Sequence, residues 1–73
     1  MATAAELQTT IEAALPGAQV VVESPDDVHF TARVVSARFE GMSRLQQHQL
    51  VMGLFEGRLG GEIHALSLKT ETP

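Results

Sequence analysis

Three histidines, His29, His48 and His64, are the residues of this chain best suited to coordination or proton chemistry. Imidazole is the commonest protein metal ligand and titrates near neutral pH. His29 heads an alternating run just after the acidic segment Ser24-Pro25-Asp26-Asp27. His64 heads another, just after Gly60-Gly61. If the two runs are parallel neighbours in one sheet, both imidazoles lie at the same edge. They then form either a ligand-bearing corner or two half-exposed strand residues with no ligand, and the residues alone leave both readings open. No HxxH or HExxH spacing occurs, which argues against an autonomous zinc site. His48, between Gln47 and Gln49, reads as a polar residue on a helix face.

Other candidates are weaker. Asp26 and Asp27 offer paired carboxylates for acid/base work or a hard cation, but adjacent acids in a Ser-Pro turn are ordinarily solvated turn residues. None of Ser24, Ser36, Ser43 and Ser67 lies in a GxSxG nucleophile elbow, and nothing else speaks for an enzyme. Gly41-Met42-Ser43-Arg44 invites comparison with the GXXG backbone clamp of KH domains, but its fourth position is arginine. Arg38 and Arg44 are the candidates for phosphate contact, a thin patch on an acidic chain. Gly60-Gly61 has no Lys-Ser or Lys-Thr behind it and reads as a helix stop.

The frame that holds these groups is small. With 73 residues the chain has room for one domain, residues 1–73. A core of this size supplies about 3–5 kcal/mol of net stability. There is no cysteine, hence neither a disulfide framework nor a thiolate metal site of its own. Small domains in oxidising compartments usually carry disulfides, so a cytoplasmic location is expected. A charged fraction of 19% beside 44% hydrophobic residues is the composition of a folded domain. Five Lys+Arg against nine Asp+Glu leave no basic excess to neutralise phosphates. Three Phe, without Trp or Tyr, leave few platforms for base stacking. No apolar run approaches a membrane span, and Met1-Ala2-Thr3-Ala4-Ala5-Glu6 does not open a signal peptide.

Five elements are expected. Thr3-Ala4-Ala5-Glu6 fits a capping box, and Leu7, Ile11, Ala14 and Leu15 form one helical stripe that Pro16-Gly17 ends. Val20-Val21-Val22 reads as a strand, and Val28 to Ser36 as a second, with Phe30, Ala32 and Val34 on one face. A loop of about four or five residues joins them as a hairpin. Arg38 to Met42 reads as an irregular turn, and Ser43 with Gln46 as a second capping box. Leu45 to Leu59 reads as a helix whose apolar residues spread so widely that a central core position is expected. Ile63 to Thr70 is the closing strand. The order α-β-β-α-β predicts a mixed three-stranded sheet with both helices on one face, its β-α-β half parallel through a right-handed crossover.

Three stretches, Val34-Val35-Ser36-Ala37-Arg38-Phe39-Glu40-Gly41-Met42-Ser43-Arg44, Gln47-His48-Gln49-Leu50-Val51 and Ile63-His64-Ala65-Leu66-Ser67-Leu68-Lys69-Thr70, resemble the BolA-like family. The order Phe-x-Gly, His/Gln-rich helix, His-Ala strand and closing Thr-x-Thr-Pro matches over nearly the whole chain. The Phe39-to-Arg44 segment is most similar to the IbaG-type, acid-stress branch. The resemblance implies a class II KH-like α+β fold and a non-enzymatic partner of monothiol glutaredoxins in iron–sulfur trafficking and iron homeostasis. In such pairs a [2Fe–2S] cluster is shared. Glutaredoxin and glutathione supply thiolates, and the BolA-like chain supplies its closing-strand histidine with a His or Cys of the hairpin loop. These roles carry over to His64 and, as the candidate in or beside the loop, to His29. His48 matches a helix histidine that is not a ligand in the family. Imidazole in place of thiolate leaves a cluster less negative and raises its potential. The alternative implied by the family is a nucleic-acid-binding transcriptional regulator of the stress response, against which the charge of -4 speaks.

Overall fold

The Thr3 hydroxyl accepts the Glu6 backbone N–H at 3.1 Å and starts helix α1, Ala4–Ala14. Leu7 and Ile11 are buried from it, with Leu15 just beyond. Ala14, expected on the same stripe, is exposed, because the helix ends there and the chain turns at Pro16-Gly17. The expected capping box is only half formed. The Glu6 carboxylate does not return to the cap but accepts hydrogen bonds from the Thr10 hydroxyl and from Arg58, 52 residues along the chain. This computed structural model describes residues 2–73; Met1, which opens the expected domain and the N-terminal stretch read above, lies outside them.

Strands β1 (Gln19–Glu23) and β2 (His29–Val35) pair antiparallel, with Val21 opposite Arg33. Strand β3 (Ala65–Glu71) pairs parallel with β2, so the sheet order is β1-β2-β3. The fold is α+β, as expected. One face of the sheet buries Val20, Val22, Phe30, Ala32, Val34 and Leu66 beneath the helices. The other exposes Val21, Thr31, Arg33, Ser67 and Lys69. The closing strand begins at Ala65 rather than Ile63. Ile63 is fully buried and bridges to Leu59, which leaves His64 immediately ahead of the strand.

The middle of the chain departs most from expectation. Arg38 to Met42 is not wholly irregular: Ala37–Phe39 forms a 3-10 turn capped by the Ser36 hydroxyl, and it buries Phe39 completely. Helix α2 spans only Arg44–Met52, with the Ser43/Gln46 capping box intact. A separate 3-10 turn, Gly53–Phe55, follows it. Only Val51 is buried in α2, and Leu45 is 66% exposed, so this helix is not the central core element. At about 100° per residue, Leu45 lies roughly 120° from Val51 around the axis, so a broad apolar spread does not imply burial on every side. The core instead takes Phe55 from the turn behind α2.

Arg58 closes this side of the molecule. Its guanidinium bonds Glu6 and Glu62 and sits 5.8 Å from the centre of the Phe55 ring. The Arg58 hydrogen bond holds the Glu6 carboxyl below its ordinary pKa, despite opposition from burial. A lowered folded value means the pair stabilises the fold above the ordinary glutamate range, and that stability is lost as pH falls through the lowered value. Both side chains are partly solvated, so the contribution is on the order of 1 kcal/mol or less. Glu6→Gln is therefore expected to lower stability by about 0.5–1 kcal/mol near neutral pH. Urea melts should show this difference narrowing as the pH is taken below the ordinary glutamate range; a pH-independent difference would contradict the assignment.

Candidate functional site

The hairpin loop, residues 24–28, folds around one histidine. The Ser24 hydroxyl donates to the His29 carbonyl at 2.6 Å and accepts the Asp27 N–H at 2.9 Å. Asp26 Oδ1 accepts the N–H groups of Val28 (3.0 Å) and His29 (2.8 Å). Asp26 Oδ2 lies 2.7 Å from the His29 ring Nδ1. The backbone N–H, carbonyl and ring of His29 are thus all held by Ser24 and Asp26. These contacts hold the Asp26 carboxyl down to a pKa of about 2, the His29 backbone N–H contributing most, then that of Val28, then the ring. Asp27 takes the left-handed conformation (φ 60°), which Asp tolerates in turns. Asp26 alone of the two turn acids engages its carboxylate, and Asp27 contributes its backbone N–H to the Ser24 hydroxyl.

His64 is brought to the same corner from the other side. The turn from Arg58 to Ile63 is closed by Gly60 N–H on the Ile63 carbonyl (2.7 Å) and Ile63 N–H on the Arg58 carbonyl (3.2 Å). Gly60 has φ +86°, a conformation that side chains disfavour. The Val28 carbonyl then accepts N–H bonds from His64 (2.8 Å) and Ala65 (3.3 Å), tying hairpin loop to closing strand. The β2–β3 register places His29 opposite Ala65. The His29 and His64 rings stand edge to face, 5.7 Å apart between centroids and 86° between planes. Both residues are exposed. The parallel pairing expected from element order thus brings the two histidines together.

The other candidates lie elsewhere. His48, half-buried on α2, joins Arg44, Leu68, Lys69, Thr70 and Glu71 around a groove of about 280 Å³ at the opposite end of β3. Arg38 is exposed on the 3-10 turn and does not line that groove, so the two arginines form no joint patch there. Glu71, on the rim, is engaged by Arg33 at 3.0 Å, which lowers the Glu71 pKa. Among the described residues no group of three or more His, Cys, Asp or Glu side chains could hold a metal ion. No helix of the structure is long and apolar enough to cross a membrane.

Asp26, one of the two turn acids singled out in the sequence, engages His29 by its place three residues before that histidine. Arg58, which anchors the start of the turn leading to His64, has its α1 partner too far away in sequence for any local signal.

Comparison with known proteins adds an independent line. The family model described as BolA-like protein matches residues 6–73. Human BolA-like protein 1 is 49% identical over 47 residues, which cover 64% of this chain and 34% of that protein. The chain spans about a third of the length of such curated mammalian relatives. Among solved structures, a bolA protein homologue from Coxiella burnetii superposes with a TM-score of 0.82 at 39% identity, covering all of this chain and 94% of that one. Yeast Fra2 superposes with a TM-score of 0.76 at 32% identity, covering 96% and 78%.

Proposed function

The chain belongs to the BolA-like protein family, and from that premise we propose that it is a non-enzymatic partner of a monothiol glutaredoxin, sharing a [2Fe–2S] cluster in iron–sulfur trafficking. One observation carries the reading: two imidazoles converge at an exposed corner of a chain without cysteine, and among the described residues no third side chain completes a metal-holding group with them. That is half a coordination sphere. His64 and His29 hold one side of the cluster, and thiolates of glutaredoxin and glutathione hold the other. The donor set suits the group, since imidazole nitrogen binds iron and occurs in mixed His/Cys clusters. The cluster supplies the transferable iron and sulfide; this chain supplies two neutral ligands on a braced frame. Exposure of the pair supports the same reading, because a shared site must lie where a partner can reach it.

Titrating the purified chain into cluster-loaded glutaredoxin with glutathione tests the proposal. Visible absorbance and CD are expected to change to a new spectrum that saturates at one chain per glutaredoxin. A complex that forms on gel filtration with no spectral change would mean docking without a shared cluster. No complex at all would refute the partnership.

A further inference from the structure

We propose that Asp26 is the positioning residue of this half-site, fixing the tautomer of His29 so that Nε2 presents its free lone pair at the corner. This deepens the proposed function, but its geometry stands on the free chain. Asp26 Oδ1 accepts two backbone N–H bonds, at 3.0 and 2.8 Å, which fixes the plane of the carboxylate. Its Oδ2 is then set 2.7 Å from His29 Nδ1, within the range of a charge-assisted bond. A carboxylate offers only lone pairs, so the proton in that contact belongs to Nδ1. A neutral imidazole carries one N–H and one acceptor nitrogen, which leaves Nε2 as the acceptor. Free imidazole side chains in water favour the opposite form, so the turn selects the minor tautomer.

The ring is also restrained in orientation. Ser24 holds the His29 carbonyl, Asp26 its N–H, and the His64 ring stands edge to face against it. Carboxylates that orient ligating histidines in this way typically contribute 10–100-fold to metal affinity, so a loss on the order of 10–100-fold is expected without Asp26. Asp26→Asn is the discriminating substitution. Its side-chain oxygen can keep the two backbone bonds while its amide turns a donor toward Nδ1, which reverses the favoured tautomer.

The experiment is long-range ring ¹⁵N–¹H correlation on the free, labelled chain, about two pH units above the ordinary imidazole pKa of about 6.5. Wild-type His29 is expected as the Nδ1–H form, with the Nε2–H form in Asp26→Asn and His48 unchanged as the internal reference. A wild-type His29 in the Nε2–H form overturns the proposal, and this spectrum decides even if the substitution perturbs the loop. So does an Nδ1–H form that persists in Asp26→Asn. The same variant, loaded with glutaredoxin, should hold the cluster about 10–100-fold more weakly. The spectra need no partner. Absence of a cluster complex beside the expected tautomer would refute the proposed function and leave the role of Asp26 standing; a cluster complex beside Nε2–H His29 would do the reverse.

Discussion

Phe55→Ala is expected to remove about 3–5 kcal/mol of folding stability, close to the whole net stability of a domain this small. Phe55 is fully buried, and its ring lies beneath the Arg58 guanidinium. Its carbonyl accepts the Arg58 and Leu59 N–H groups, so the residue also anchors the turn that delivers His64. Truncation leaves a cavity that a three-stranded sheet with two short helices has little material to refill. Phe55→Met keeps most of the volume and should cost less, under about 1.5 kcal/mol. Far-UV CD against urea is the suitable probe, as the chain has no Trp or Tyr. Phe55→Ala should show little or no folded baseline. A cooperative melt within about 1 kcal/mol of wild type would contradict the packing described.

The strands were legible because a one-faced sheet imposes a period of two: Phe30, Ala32 and Val34 alternate with exposed residues just as their sequence does. Element order then supplied the parallel pairing, and with it the meeting of His29 and His64. Helix α2 is shorter than the expected Leu45 to Leu59 for a physical reason. Leu45, Leu50, Met52 and Leu54 are apolar but surround the axis, and only Val51 and Phe55 reach full burial. Hydrophobicity without direction does not mark a core. Gly53 marks the break between α2 and the 3-10 turn. At the site, the meeting of the two histidines is legible through topology, whereas the Asp26 contact is not. The engagement of His29 by Asp26 depends on a turn geometry that Ser-Pro-Asp-Asp permits but does not dictate. The Glu6–Arg58 link bridges 52 residues and leaves no local trace.

His64→Ala carries the second large effect. Loss of one of the two proposed ligands should weaken cluster retention in the glutaredoxin complex by more than about 100-fold, beyond the range typical of outer partners. The characteristic visible CD of the mixed complex should vanish. Stability should barely change, because His64 is exposed and surface substitutions usually stay within about 0.5 kcal/mol. Restoring a ligand as His64→Cys should recover a cluster spectrum, shifted by the thiolate. His48→Ala, altering the groove at the far end of β3, should leave the cluster spectrum as in wild type. An unchanged visible CD spectrum in the His64→Ala complex would remove this residue from the coordination sphere.

The most direct test of the shared half-site labels this chain alone. With ¹⁵N-histidine in this chain and unlabelled glutaredoxin, pulsed EPR of the reduced complex should show strong ligand couplings from ¹⁵N in place of ¹⁴N, diminished in both His29→Ala and His64→Ala. Couplings that remain ¹⁴N, or no strong nitrogen coupling at all, would mean that the histidines of this chain do not hold the cluster.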